Sequence, residues 1–206
     1  MPTYPALWGH RAEKERQFTV EPDTCGEIRP GRDDQAAFIW STATRLHSNL
    51  DFRLNSQSLA MCITPERCIG GTAWPNVKPH SAGHEIPLLL WANSTLGLIL
   101  FWYKGTRQQQ GRARLTISRL PDFPTLDARA LSEVQMEACQ RIFVRFSRQA
   151  FLPANEAFRD EARKELDAAL FRMLDIDESR LELLDLLRLQ WCSEPSVHGG
   201  KKTRPA

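Results

Sequence analysis

The pattern of apolar and polar positions changes texture near residue 124. Before it, short apolar runs alternate with breakers. Leu88 to Trp91 is an unbroken apolar run that predicts a strand buried on both faces. Asn93 or Ser94 then offers a short polar side chain to cap a helix, and Leu96, Leu98, Ile99, Leu100, Phe101 and Trp102 predict a buried helix that stops at Gly105. Thr106 to Arg114 reads as a polar loop, and Leu115 to Leu120 as an alternating strand closed by Pro121. Upstream, Asp33 to Leu46 spaces Ala37, Trp40, Ala43 and Thr44 for an amphipathic helix, and Leu59 to Thr64 predicts a strand ending at Pro65. Glu66 to His84 reads as loop. Within it Trp74, held extended before Pro75, either plugs the core or stacks on a base, and burial is the commoner fate of tryptophan.

After the proline-bearing connector DFPTLDAR the spacing becomes helical. Ser132 and Gln135 form a capping box for a helix to about Gln149, with Val134, Ala138, Ile142 and Phe146 on one stripe. Asn155 is placed to cap a second helix reaching Met173, and Glu178 to Trp191 reads as a third. The expected fold class is α+β: a mixed α/β part resembling a recognition domain, followed by a helical part. The expected divisions are an irregular arm over residues 1–32, docked through Tyr4, Leu7 and Trp8, a mixed α/β domain over 33–124, a helical region over 125–192 and a disordered tail over 193–206.

Charge sharpens this picture. The net charge is only +2, yet Pro87 to Pro121 contains no acid and carries Lys104, Arg107, Arg112, Arg114 and Arg119, leaving about −3 for the remainder. Positive potential is therefore concentrated in one segment. Its loop, Thr106-Arg107-Gln108-Gln109-Gln110-Gly111-Arg112-Ala113-Arg114, has the chemistry of an anion-binding surface. Arginine forks onto guanine or phosphate oxygens, glutamine pairs with adenine through two hydrogen bonds, and glycine admits close backbone approach. A solvated loop joining two core elements is the competing reading.

Composition excludes little: 206 residues with 42% hydrophobic content suffice for one domain or two small ones. No leader-like apolar stretch opens the chain, the apolar run from Ser94 to Gly105 is short of the ~20 residues a bilayer crossing needs, and the five cysteines are unclustered. The expectation is a cytoplasmic protein with reduced thiols. Cys62, Cys68, His80 and His84 follow zinc-finger order, but five residues separate the cysteines where two to four are usual, so separate structural roles are the better reading. His84-Glu85 lacks the second histidine of a zinc-protease helix, and Asp23 with Glu27 and Arg29 is spaced too tightly for nuclease carboxylates. There is no glycine-rich phosphate loop and no G-x-S-x-G elbow.

The succession LLLW, Asn93-Ser94, an apolar helix ending in aromatics, a basic polar loop and LTISRLP resembles the target-recognition region of adenine-specific DNA methyltransferases. The likeness is to those fused to type IIG restriction enzymes and to related phage-defence methylases. It spans roughly residues 36 to 176, taking in Thr44 to His47, Asn55 to Gln57 and the RKELDAALFRMLDI segment. The resemblance implies sequence reading on double-stranded DNA. Asn93 and Ser94 would then be structural caps, and Arg107, Gln108, Gln109, Gln110, Arg112 and Arg114 would face DNA with Lys104, while Arg45, Arg53 and Asn55 are further candidates. The glycine-containing S-adenosylmethionine motif and the Asn-Pro-Pro-Tyr type motif of that family are absent, so no catalytic residue, metal or cofactor is expected here. The implied role is a specificity module of a restriction-modification or phage-defence system. S-adenosylmethionine and methyl transfer would belong to a partner catalytic subunit or domain. The alternative is a protein-interaction scaffold docking an acidic partner.

Overall fold

A computed structural model of the chain describes residues 3–108 and 111–200. Two sheets and a helical layer share one hydrophobic core, which takes Leu7 and Phe18 from the first residues, Leu46, Ile63 and Leu90 from the middle, and Phe146, Leu166 and Trp191 from the helical part. The class is α+β, with the helical part following the mixed one.

The main sheet has strand order β2-β1-β5-β3, formed by β1 (Thr3–Leu7), β2 (Thr24–Glu27), β3 (Thr44–Ser48) and β5 (Met61–Gly70). β1 lies between β2 and β5, antiparallel to the first and parallel to the second. Residues 3–32 are therefore woven into the fold and are not an irregular arm. Phe18 and Val20 extend this role, exchanging backbone hydrogen bonds with Ile63 at 2.9 and 3.0 Å. Of the three residues expected to dock, Leu7 is buried and Tyr4 packs on Trp40, while Trp8 is 60% exposed.

β5 does not end at Pro65. It continues to Gly70 because the pairing with β3 slips there: Thr44 pairs with Cys68 and Leu46 with Ile63, so two steps on β3 span five on β5. The irregularity places Pro65, which has no N–H to give, where no ladder bond is required.

The first helix, α1 (Asp33–Ser41), stops short of Leu46, and β3 begins at Thr44. Leu88 to Trp91 is not a strand but the body of α2 (Glu85–Asn93), with Pro87 in the first turn, where a missing N–H costs little. An apolar run buried on both sides satisfies either conformation, and length does not discriminate at four residues. Ser94 ends α2 and caps α3 (Thr95–Lys104), its Oγ accepting from Gly97 N at 3.1 Å. The two helices meet at 78°. Gly97 makes this corner possible, since a Cβ there would lie 2.1 Å from the Trp91 carbonyl oxygen. Asn93 fastens the corner to β5: its amide accepts from Ala60 N at 2.9 Å and donates to Met61 O at 2.8 Å.

Leu115 to Pro121 forms a 3-10 turn over Ile117–Arg119, not a strand. The helical layer comprises α4 (Glu133–Phe146), α5 (Glu161–Met173) and α6 (Arg180–Ser193). Ser132 and Gln135 make the capping box from both sides, and Cys139, Ile142 and Phe146 face the core, although Val134 is 70% exposed. Asp160 caps α5, its Oδ1 accepting from Arg163 N at 3.2 Å, and Asn155 sits buried in the preceding 3-10 turn. Residues 193–200 are ordered into the fold, with a short α7 (Pro195–His198) and a fully buried Val197, so the expected tail does not begin at Ser193. Its remaining residues, 201–206, lie outside those described. Among the described residues no single helix is long and apolar enough to cross a membrane.

Candidate nucleic-acid interface

The polar segment after α3 is a hairpin. β6 (Thr106–Gln108) and β7 (Arg112–Arg114) pair antiparallel, and β4 (Asp51–Arg53) joins on the far side to give a small sheet of order β4-β7-β6. Period-two alternation sorts its side chains. Phe52 and Ala113 are buried, Phe52 meeting Phe101 edge-on with ring centroids 5.5 Å apart. Asp51, Arg53, Arg112 and Arg114 then share the opposite face. The register sets Arg114 between Asp51 and Thr106, and Arg112 between Arg53 and Gln108. Gly111 closes the turn with φ of 72°, and a Cβ there would stand 2.6 Å from Val197 O. Only glycine suits that position. The turn is pinned by Leu54 N donating to Gly111 O at 2.7 Å.

Arg112 is not a free cation. Its Nε donates to Asp51 Oδ1 at 2.5 Å and its second fork arm to Asp51 Oδ2, so the pair is bidentate. Donating these hydrogen bonds to Asp51 holds the Arg112 guanidinium above its ordinary value. Arg53 and Arg114 are exposed and contact no carboxylate among the described residues. Lys104, in the last turn of α3, is exposed beside the Tyr103 ring, 5.9 Å from its centroid. Asn55 follows β4 and packs against Gly111 at the hairpin turn. Arg45 belongs elsewhere: it lies on β3 of the main sheet, with Nε donating to Thr64 O at 3.2 Å and a terminal nitrogen 3.6 Å from Glu85. Arg107 and Gln108 pair through their backbones with Ala113 and Arg112. Their side chains, and all of Gln109 and Gln110, lie outside the described residues.

The fold thus brings Arg53 to the hairpin, opposite Arg112, along with Asp51, which sequence reading missed. Alternation about Phe52 is the signal that links these two positions, but nothing local to β4 shows which strand it joins.

Two further clusters carry chemistry-bearing groups. Asp167 on α5 accepts from Thr95 N at 2.9 Å, Thr95 Oγ at 2.5 Å and Arg188 at 2.7 Å, all buried. Burial pushes the Asp167 carboxyl up, against the opposing pull of Arg188. Arg163 completes the network with bonds to Asn93 O and to Ser58 O at 3.0 Å. These groups hold the α2–α3 corner against α5 and α6, and every donor faces protein.

The other cluster is a cysteine–histidine pair. His47 Nδ1 lies 3.3 Å from Trp74 O and Nε2 lies 3.3 Å from Cys68 Sγ. The carbonyl requires Nδ1–H, which leaves Nε2 to accept from the thiol. Burial lowers His47 to about 4 and raises the Cys68 thiol, so the pair is neutral. A neutral pair without exposure is a structural tie, not an activated nucleophile. Trp74 itself is 1% exposed and plugs the core. Among the described residues no group of three or more His, Cys, Asp or Glu is arranged for a metal, and His80 is exposed while Cys62 and Cys68 are buried.

No family model, no curated protein and no solved structure matches this chain.

Proposed function

We propose that this chain is a DNA-binding specificity module that reads double-stranded DNA for a methyltransferase catalytic partner in a restriction-modification or phage-defence system. The observation that carries the proposal is the outward face of the small sheet. Arg53 and Arg114 stand exposed there without carboxylate partners among the described residues, Lys104 lies at the end of α3, and the face's one acid, Asp51, is occupied by Arg112. The DNA major groove admits a two-stranded β-ribbon, the width of the β6–β7 hairpin. The sequence resemblance to target-recognition regions points the same way, with base flipping and methyl transfer left to the partner.

Selection from randomised duplexes tests the assignment. The module should enrich a defined sequence, and Arg53→Gln with Arg114→Gln should weaken retention without unfolding. Enrichment of no sequence at low salt would overturn it.

A second reading, a protein-interaction scaffold, is favoured by one feature. α6 buries Leu184, Arg188 and Trp191 but leaves Leu183 and Leu186 about two-thirds exposed, with Leu187 and Leu189 partly so. Binding of a protein partner that survives high salt, with no duplex retained, would favour this reading.

A further inference from the structure

We propose that the outer face of α6 docks a second copy of this chain, the two helices lying antiparallel across a two-fold axis. α6 buries Leu184, Arg188 and Trp191 and turns its other side to solvent. On that side Arg180, Leu183, Leu187, Gln190 and Glu194 recur at steps of three and four, so they form one stripe with Leu186 beside it. Leu183 and Leu186 are each about two-thirds exposed, and a contiguous apolar patch of this kind marks a docking surface.

The order of charges on the stripe selects the occupant. A base stands at its start and an acid at its end. Neither forms a salt bridge among the described residues, and Asp177 acts on Arg180 only from beyond that range. Laid antiparallel on a copy of itself about an axis near Leu187, the stripe sets Arg180 against Glu194, Leu186 against Leu187 and Leu183 against Gln190, and the two-fold repeats every pairing. A parallel arrangement would oppose like charges at both ends. Other occupants fit worse. The remaining exposed charges of the helix are acids, Glu182 and Asp185, so α6 lacks the Lys- and Arg-rich polar face of a membrane-lying helix and would repel an acidic protein. With 14 residues, α6 is ~21 Å long, which puts a pairing through it at the small end of specific interfaces; association is therefore reversible and concentration-dependent. This pairing rests on neither reading given above.

Sedimentation velocity of the full chain over a concentration series from micromolar to submillimolar tests it, with circular dichroism to check that each variant is folded. Wild type should pass from monomer to dimer, and Leu183→Glu/Leu186→Glu should remain monomeric. Val144→Glu, at an exposed valine on α4, should associate like wild type. Arg180→Glu alone and Glu194→Arg alone should each weaken association by about tenfold, because each sets like charges together at both ends of the pair. Mixed in equal amounts, these two single variants should associate again, since every end of their heterodimer joins an acid to a base. A wild type monomeric throughout would overturn the proposal and leave the face to a different protein. Association that survives Leu183→Glu/Leu186→Glu, or a mixture no tighter than its components, would overturn it as well.

Discussion

Asp51 and Arg112 form a bidentate pair across β4 and β7, and this pair sets the charge of the small sheet's outer face. Five basic residues crowd the segment Pro87 to Pro121, but the structure neutralises one of them with an acid from outside it. Specificity and charge are thus separable: a guanidinium already forked onto a carboxylate is oriented but contributes little net attraction to an anion.

Removing the carboxylate should release that attraction. Asp51→Asn is expected to tighten duplex binding and to steepen the log–log salt dependence by about 0.9, the increment of one added phosphate contact. The stability cost should stay within ~1 kcal/mol because the pair is partly exposed. Fluorescence anisotropy at several salt concentrations, with urea denaturation beside it, measures both.

The α2–α3 corner should tolerate no side chain. Gly97→Ala sets a methyl against the Trp91 and Ala92 carbonyls, both backbone atoms that cannot swing aside. Destabilisation of roughly 3 kcal/mol or more is expected, or failure to fold. Gly83→Ala is the control, since its nearest neighbours lie at 3.7 Å and beyond.

Breaking the buried network should be as costly. Asp167→Ala leaves the Thr95 N–H and one terminal nitrogen of the buried Arg188 without their acceptor, while Arg188 keeps Asp185 and the Thr95 hydroxyl. A loss of about 3–5 kcal/mol is expected by equilibrium denaturation. Glu165→Ala, on the same helix with an exposed pair to Arg145, should cost under ~1 kcal/mol.

His47 gives the fold a pH dependence of known sign. Folded, its pKa falls from 6.5 to about 4 through burial. Above pH 6.5 both folded and unfolded forms are neutral and the group adds no pH dependence. Between about 6.5 and 4 the unfolded chain binds the proton and the folded chain does not, so stability falls with pH at up to ~1.4 kcal/mol per unit, roughly 3 kcal/mol in all. Denaturation curves at pH 7.5, 5.5 and 4.5 should show this slope, and His47→Gln should flatten it.

How much of this was legible in the sequence follows from the range of each signal. Helix ends written in local chemistry read correctly: the Ser132–Gln135 box, the stop at Gly105 and the end of α5 at Met173 rest on neighbours within one turn, whereas the start of α5 is capped by Asp160 and not by Asn155. Elements decided by distant partners did not. Leu88 to Trp91 suits a strand or a helix until β5 and the helical layer surround it, and β1 reads as irregular until β5 pairs with it. The site divides likewise. Arg112 and Arg114 were visible as charge, and Arg53 as a weaker candidate, but the neutralising role of Asp51 depends on a pairing 61 residues apart. Arg45, equal to Arg53 in composition, lies on the other sheet and binds Thr64 and Glu85.

The salt dependence of duplex affinity tests the central claim most directly. With Arg53, Arg114 and Lys104 meeting backbone phosphates, the log of the association constant should fall linearly with log salt at a slope of about −2.7 or steeper, and the Arg53→Gln/Arg114→Gln variant should lose about 1.8 of it. A slope near zero, or one unchanged in the double variant, would contradict the account.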